Sequence, residues 1–126
     1  MTDLDIDEIL TKITSFVFIE RKQRKLASLE PGFYNSISEA FKYIKSEKDR
    51  ALNDGDMDEY MKLVLLQGRL QNDFSAFMKI RMSKMLQYSV YDDYNEFNLI
   101  GPEKEWMEQA RGIYNNALKN VEGDSQ

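Results

Sequence analysis

Residues 56–88 read DMDEYMKLVLLQGRLQNDFSAFMKIRMSKMLQY, a run with no proline and with Gly68 as its one weak helix former. Its apolar residues fall at Tyr60, Leu63, Val64, Leu70, Phe74, Phe77, Met78, Met82 and Met85, a spacing that gathers them on one helical face. Asp56 stands where an N-cap belongs, and Glu59, three residues on, completes a capping-box-like arrangement. About thirty residues rising ~1.5 Å each make a rod of roughly 45 Å. One small core does not cover that length, so one end is expected to reach beyond its own domain. The expected fold class is therefore all-α, a helical bundle of about four main helices with one long central helix.

Upstream, Asn53-Asp54-Gly55 is a turn that ends another helix. That helix opens at Pro31, a residue favoured in the first turn, and carries Phe33, Ile37, Ala40, Phe41, Ile44, Ala51 and Leu52 as its stripe. A first helix covers about residues 4–15, with Leu4, Ile9, Leu10, Ile13 and Phe16 at helical spacing and its acids crowded into the N-terminal turn. The apolar run Phe16-Val17-Phe18-Ile19 that follows is compatible with a strand or with a bent helix. Downstream, Tyr91, Tyr94, Phe97, Leu99 and Ile100 stand among acids, and a loop this apolar is expected to pack down. Pro102 opens a fourth helix striped by Trp106, Ala110, Ile113, Tyr114, Ala117, Leu118 and Val121. A polar tail, residues 122–126, ends the sequence.

The bulk composition bounds the function. At 126 residues, with 42% hydrophobic and 31% charged residues, the chain is long and apolar enough for one domain with a real core. It has neither cysteine nor histidine, which removes disulfides, thiolate chemistry and the commonest general base and transition-metal ligand. No stretch approaches the ~18 apolar residues of a membrane span, and the acidic N-terminus lacks the basic start of a signal peptide. A soluble, intracellular protein is expected. The net charge of −5 is uneven, basic over residues 21–50 and acidic over 90–126. An acidic total argues against general nucleic-acid binding.

Asp54, Asp56 and Asp58 alternate like the start of a calcium loop, but Glu59 sits where glycine is needed and Leu65 where the bidentate glutamate belongs. Helix capping explains these acids, and likewise Asp3, Asp5 and Asp7. A di-metal site in helices wants Glu-x-x-His pairs, which a chain without histidine lacks. No phosphate-cradling glycine loop is present. The cluster Arg21, Lys22, Arg24 and Lys25 either grips phosphates or is a solvated linker, with net acidity favouring the linker. Met78, Met82 and Met85 are either an adaptable binding face or ordinary core. Arg81 shares a face with Phe74, Phe77, Met78 and Met85, where a charge is costly unless paired. It either snorkels at the stripe's edge or is clamped by a carboxylate.

Three stretches together resemble the helical A-domain of a GINS subunit, from the replication complex that joins the MCM helicase. They are Leu26-Ala27-Ser28-Leu29-Glu30-Pro31-Gly32-Phe33-Tyr34, Lys79-Ile80-Arg81-Met82-Ser83-Lys84-Met85 and Asn98-Leu99-Ile100-Gly101-Pro102-Glu103-Lys104-Glu105-Trp106. Each is loose alone; their order and spacing over residues 20–121 carry the likeness. Two departures stand out: Gly32 replaces the usual acid before Phe-Tyr, and Ile100-Gly101-Pro102 replaces Thr-x-Glu.

The resemblance implies residues 1–121 as a GINS-like A-domain of the A-domain-first, archaeal-like type, and residues 122–126 as a tail. The β-domain that follows in such subunits is expected to be absent, either trimmed away or missing from a reduced natural form. The function implied is a non-catalytic scaffold with no cofactor. Its partners would be a second GINS subunit type in a hetero-oligomer of tetramer size, the MCM helicase, and a RecJ-like or Cdc-forty-five-like protein. Direct DNA binding is expected to be weak or absent. The location would be cytoplasmic and nucleoid-associated in an archaeon, nuclear in a eukaryote.

Candidate structural or partner contacts are Phe33, Tyr34, Arg81, Lys84, Tyr91, Tyr94, Phe97 and Trp106, with Arg21, Lys22, Arg24 and Lys25 for any weak nucleic-acid contact. No catalytic or metal residue is assigned. Two other readings stay open: a free-standing helical adaptor or dimerisation module, and a magnesium-dependent carboxylate hydrolase.

Overall fold

A computed structural model describes residues 2–91 and 98–123, with the side chains of residues 3 and 4 left aside. Within them the chain is all-helical: α1 Asp3–Lys22, α2 Phe33–Asn53, α3 Met57–Tyr88 and α4 Glu103–Glu122. α3 is the central rod, with α1 and α2 laid along it.

α1 runs through the segment whose sequence left strand and bent helix open. Thr2 and Asp5 close a reciprocal capping box at its start. Ile6, Leu10 and Ile13 are fully buried, and Glu20, seven residues beyond Ile13, falls on the same face and is equally buried. Phe18 points away from that face, 58% exposed, with the Lys22 ammonium 4.3 Å over its ring.

Pro31 does not open α2. The Phe33 N–H donates to the Glu30 carbonyl at 3.1 Å, and Gly32 has φ 81° and ψ 7°. These are the marks of a type II turn, with proline second and glycine at the position that needs positive φ. The helix begins only afterwards, at Phe33.

At the far end of α2 the Asp56 N–H donates to the Ala51 carbonyl at 2.9 Å and the Gly55 N–H to Leu52 at 3.2 Å, a Schellman ending about left-handed Gly55. Asp56 caps α3 as expected, accepting from the Glu59 N–H at 3.1 Å. The other half of the expected box does not form, because the Asp56 N–H is already engaged by Ala51.

The main core joins Ile6, Leu10 and Ile13 of α1 to Phe33, Ile37 and Ile44 of α2 and Leu70 and Phe77 of α3. Phe33 is its keystone, with edge-on rings at Phe16, Tyr34 and Phe77. A smaller cluster of Leu26, Met85 and Met107 ties the α1–α2 connector and α4 to the end of α3. Of the methionine face, Met85 is buried and Met78 and Met82 pack as partly buried core.

Excess apolar surface lies on α3 and on α4. Buried residues recur along α3 from Leu63 to Met85, yet Met57, Met61, Leu65 and Leu86 on the same helix are each more than half exposed. α4 outruns the core further still. Its buried residues are Glu103 and Met107, and every residue from 112 to 123 is exposed. Ile113 at 71% and Val121 at 89% exposure leave the outer part of the α4 stripe uncovered.

Candidate functional site

The most densely connected polar site is a node around Arg81, one turn after Phe77 and one before Met85 on the buried face of α3. Arg81, Glu20 and Glu103 are each 0% exposed. Arg81 Nε and Nη2 meet Glu103 side-on at 2.8 and 2.9 Å. Nη1 donates to Glu20 at 3.0 Å and to the Ala27 carbonyl at 2.7 Å, and Nη2 also donates to the Asn98 carbonyl at 2.6 Å. A guanidinium has five N–H groups. All five are used.

The carboxylates are filled in turn. Glu103 also accepts from the Tyr34 hydroxyl at 2.5 Å and from the Ile100 N–H at 2.9 Å. Glu20 accepts from the Ala27 N–H at 2.9 Å and from Lys84 Nζ at 2.8 Å. Two cations thus face two carboxylates, and among the described residues no buried polar side-chain atom lacks a partner. Burying an ion costs several kcal/mol, and only such complete pairing and hydrogen bonding offsets it.

Burial alone would lower the Arg81 pKa, but the bonds and charges of Glu103 and then Glu20 outweigh it and hold it above its ordinary value. Burial, and next the hydrogen bond to Glu103, push the Tyr34 hydroxyl far above the ordinary tyrosine value. Tyr34 is therefore a fixed donor.

Two segments without helical structure of their own close on this node. In the connector at 23–32, the Arg24 carbonyl accepts from the Tyr88 hydroxyl, Lys25 from Lys84, Leu26 from the Asn98 amide and Ala27 from Arg81. The turn before α4 is held reciprocally: the Glu103 N–H donates to the Ile100 carbonyl at 3.0 Å while the Glu103 carboxylate takes the Ile100 N–H. Pro102 precedes α4 as its N-cap and does not open it. With Arg81, Glu20 and Glu103 sealed from solvent, what the node does is lock α1, α3, α4 and the connector into one geometry.

Of the sequence candidates, Tyr34, Arg81, Lys84 and Trp106 are brought together, Trp106 edge-on to Tyr34 at 5.3 Å. Arg81 is clamped by two internal carboxylates and does not snorkel. Phe33, 4% exposed, is core and presents no surface to a partner. Tyr91 is 57% exposed, its carbonyl bonded to Arg111. Tyr94 and Phe97 lie outside the described residues. Arg21, Lys22, Arg24 and Lys25 are all exposed.

The sequence alone does not bring Glu20, Glu103 and the Asn98 carbonyl together as a set. The legible signal was Glu20 at stripe spacing after Ile13. Among the described residues no group of three or more acids is placed to hold a metal ion, and no helix is long and apolar enough to cross a membrane.

In comparison with known proteins, no family model, no curated protein and no solved structure matches the chain.

Proposed function

We propose that this chain is a non-catalytic scaffold subunit of the GINS complex, supporting assembly of the MCM helicase in DNA replication. One observation carries the reading. The three stretches that bear the GINS resemblance, far apart in sequence, meet at one buried node: Asn98 on Leu26, Tyr34 on Glu103, and Arg81 on both Glu103 and Asn98. A motif set that defines a fold is expected to converge in this way. Such a subunit would act by holding geometry, presenting helix faces to a second GINS subunit type, to MCM and to a RecJ-like or Cdc-forty-five-like partner. An archaeal cytoplasm or a eukaryotic nucleus is the setting this implies.

Light scattering on the purified chain, alone and mixed with a candidate sister subunit, tests the reading. A stable hetero-oligomer that also retains MCM is the expected result. A chain that ignores both proteins overturns it.

A second reading, a free-standing helical adaptor or dimerisation module, is favoured by the outer half of α4, where Ile113, Tyr114, Leu118 and Val121 lie exposed on one helix. Self-association without any response to the sister subunit would select it.

A further inference from the structure

The last turn of α1 and the connector after it display a cluster of cations that has no counter-charge among the described residues. Among the described residues Arg21, Arg24 and Lys25 form no ion pair, and the Lys22 ammonium lies over the Phe18 ring. The chain holds 22 acids against 17 cations, so acids were not in short supply. The backbone beneath is rigid, with the Arg24 carbonyl held by Tyr88 at 2.9 Å and the Lys25 carbonyl by Lys84 at 3.1 Å. Lys84 itself is neutralised by Glu20 at 2.8 Å. Unpaired like charges on a pinned backbone repel one another, and an external anion relieves that repulsion.

Of the cluster, Arg24 lines an open groove of about 850 Å³, together with Ser83, Leu86, Gln87, Tyr88, Val90 and Tyr91. Leu86, Val90 and Tyr91 are 51%, 39% and 57% exposed. The groove thus sets exposed Leu86, Val90 and Tyr91 beside Arg24, with Ser83 and Gln87 as polar lining and the rest of the cation cluster next to Arg24 in the chain. Single-stranded nucleic acid would seat its bases on flat aromatic faces, yet two of these three exposed side chains are aliphatic and would stay wet under a phosphate chain. A peptide that pairs carboxylates with bulky apolar side chains satisfies both halves.

We propose that this groove docks a short acidic segment of a partner protein, its carboxylates on Arg21, Arg24 and Lys25 and a large apolar side chain on Leu86 and Val90. The proposal concerns a different surface from the α4 face and stands whether or not the chain is a GINS subunit.

Selection of random displayed peptides on the full chain, followed by fluorescence anisotropy with the selected sequences, tests it. Selected peptides should combine Asp or Glu with Leu, Phe or Trp. Their affinity should fall at least about tenfold in the triple variant Arg21→Glu, Arg24→Glu, Lys25→Glu and again in Leu86→Ser, and should weaken with added salt. All four positions are exposed, so circular dichroism should be unchanged. Should the triple variant unfold, Arg24→Gln with Leu86→Ser carries the same test. The proposal is overturned if selection shows no acidic-apolar bias, if the variants bind as the parent does, or if a single-stranded oligonucleotide binds the cluster more tightly than any selected peptide.

Discussion

Arg81 and Glu103 form a side-on ion pair, two parallel N–H to carboxylate bonds of 2.8 and 2.9 Å, with neither side chain exposed. This pair joins the C-terminal part of the long helix to the first residue of α4, and everything else at the node completes its solvation. Its removal therefore reports on the whole assembly of helices.

Arg81→Ala leaves two buried carboxylates short of a cation and should cost about 3–5 kcal/mol, a large part of the ~5–15 kcal/mol of an ordinary domain. Arg81→Lys should be nearly as damaging, because one ammonium cannot serve acceptors spread over Glu20, Glu103, Ala27 and Asn98. Urea unfolding measures both. A loss below about 1 kcal/mol for Arg81→Ala would contradict the geometry described.

Tyr34 links stability to alkaline pH. Its hydroxyl pKa is raised in the folded chain by burial and by Glu103. Above the ordinary tyrosine value near 10 the unfolded chain therefore loses a proton that the folded chain keeps. That contribution is complete below about pH 10 and declines as pH rises beyond it, by up to ~1.4 kcal/mol per pH unit for one proton. Tyr34→Phe should be less stable at pH 7, because Glu103 loses a donor, yet show a shallower decline above pH 10. Melting curves compared across that range decide the matter, and parallel declines would refute it.

Two glycines should respond with opposite signs to alanine. Gly32 sits at φ 81° in the turn before α2, a region costing a side chain roughly 1–2 kcal/mol, so Gly32→Ala should destabilise. Gly112 lies inside α4 with nothing within 4 Å of an added Cβ. Gly112→Ala should stabilise by about 0.5–1 kcal/mol. Thermal melts of the two variants suffice, and equal signs would count against either the turn or the helix.

On α4, Met107 is buried and Ile113 is 71% exposed. Met107→Ala should cost about 2–5 kcal/mol, whereas Ile113→Ser should stay within about 0.5 kcal/mol of the parent. Amide exchange should agree, with residues 112–122 among the least protected of the helical amides. Strong protection there in a monomer would show that α4 folds back onto the bundle.

Much of the fold is legible in the sequence alone. Helical spacing from Tyr60 to Met85 specified the rod, the Asp56 cap its start, and Gly55 the turn before it, because these depend on neighbours within a few residues. A lone arginine on an apolar face announced that something must pair with it. Which partner it found was not legible. Glu20 and Glu103 lie 61 and 22 residues away, and their meeting at Arg81 depends on how three helices cross. The same limit hid the fate of α4: an apolar stripe states what a helix can bury, not whether its own chain reaches far enough to bury it. Local hydrogen bonding and side-chain period are properties of the sequence; the pairing of distant charges and the covering of a face exist only once the helices have packed.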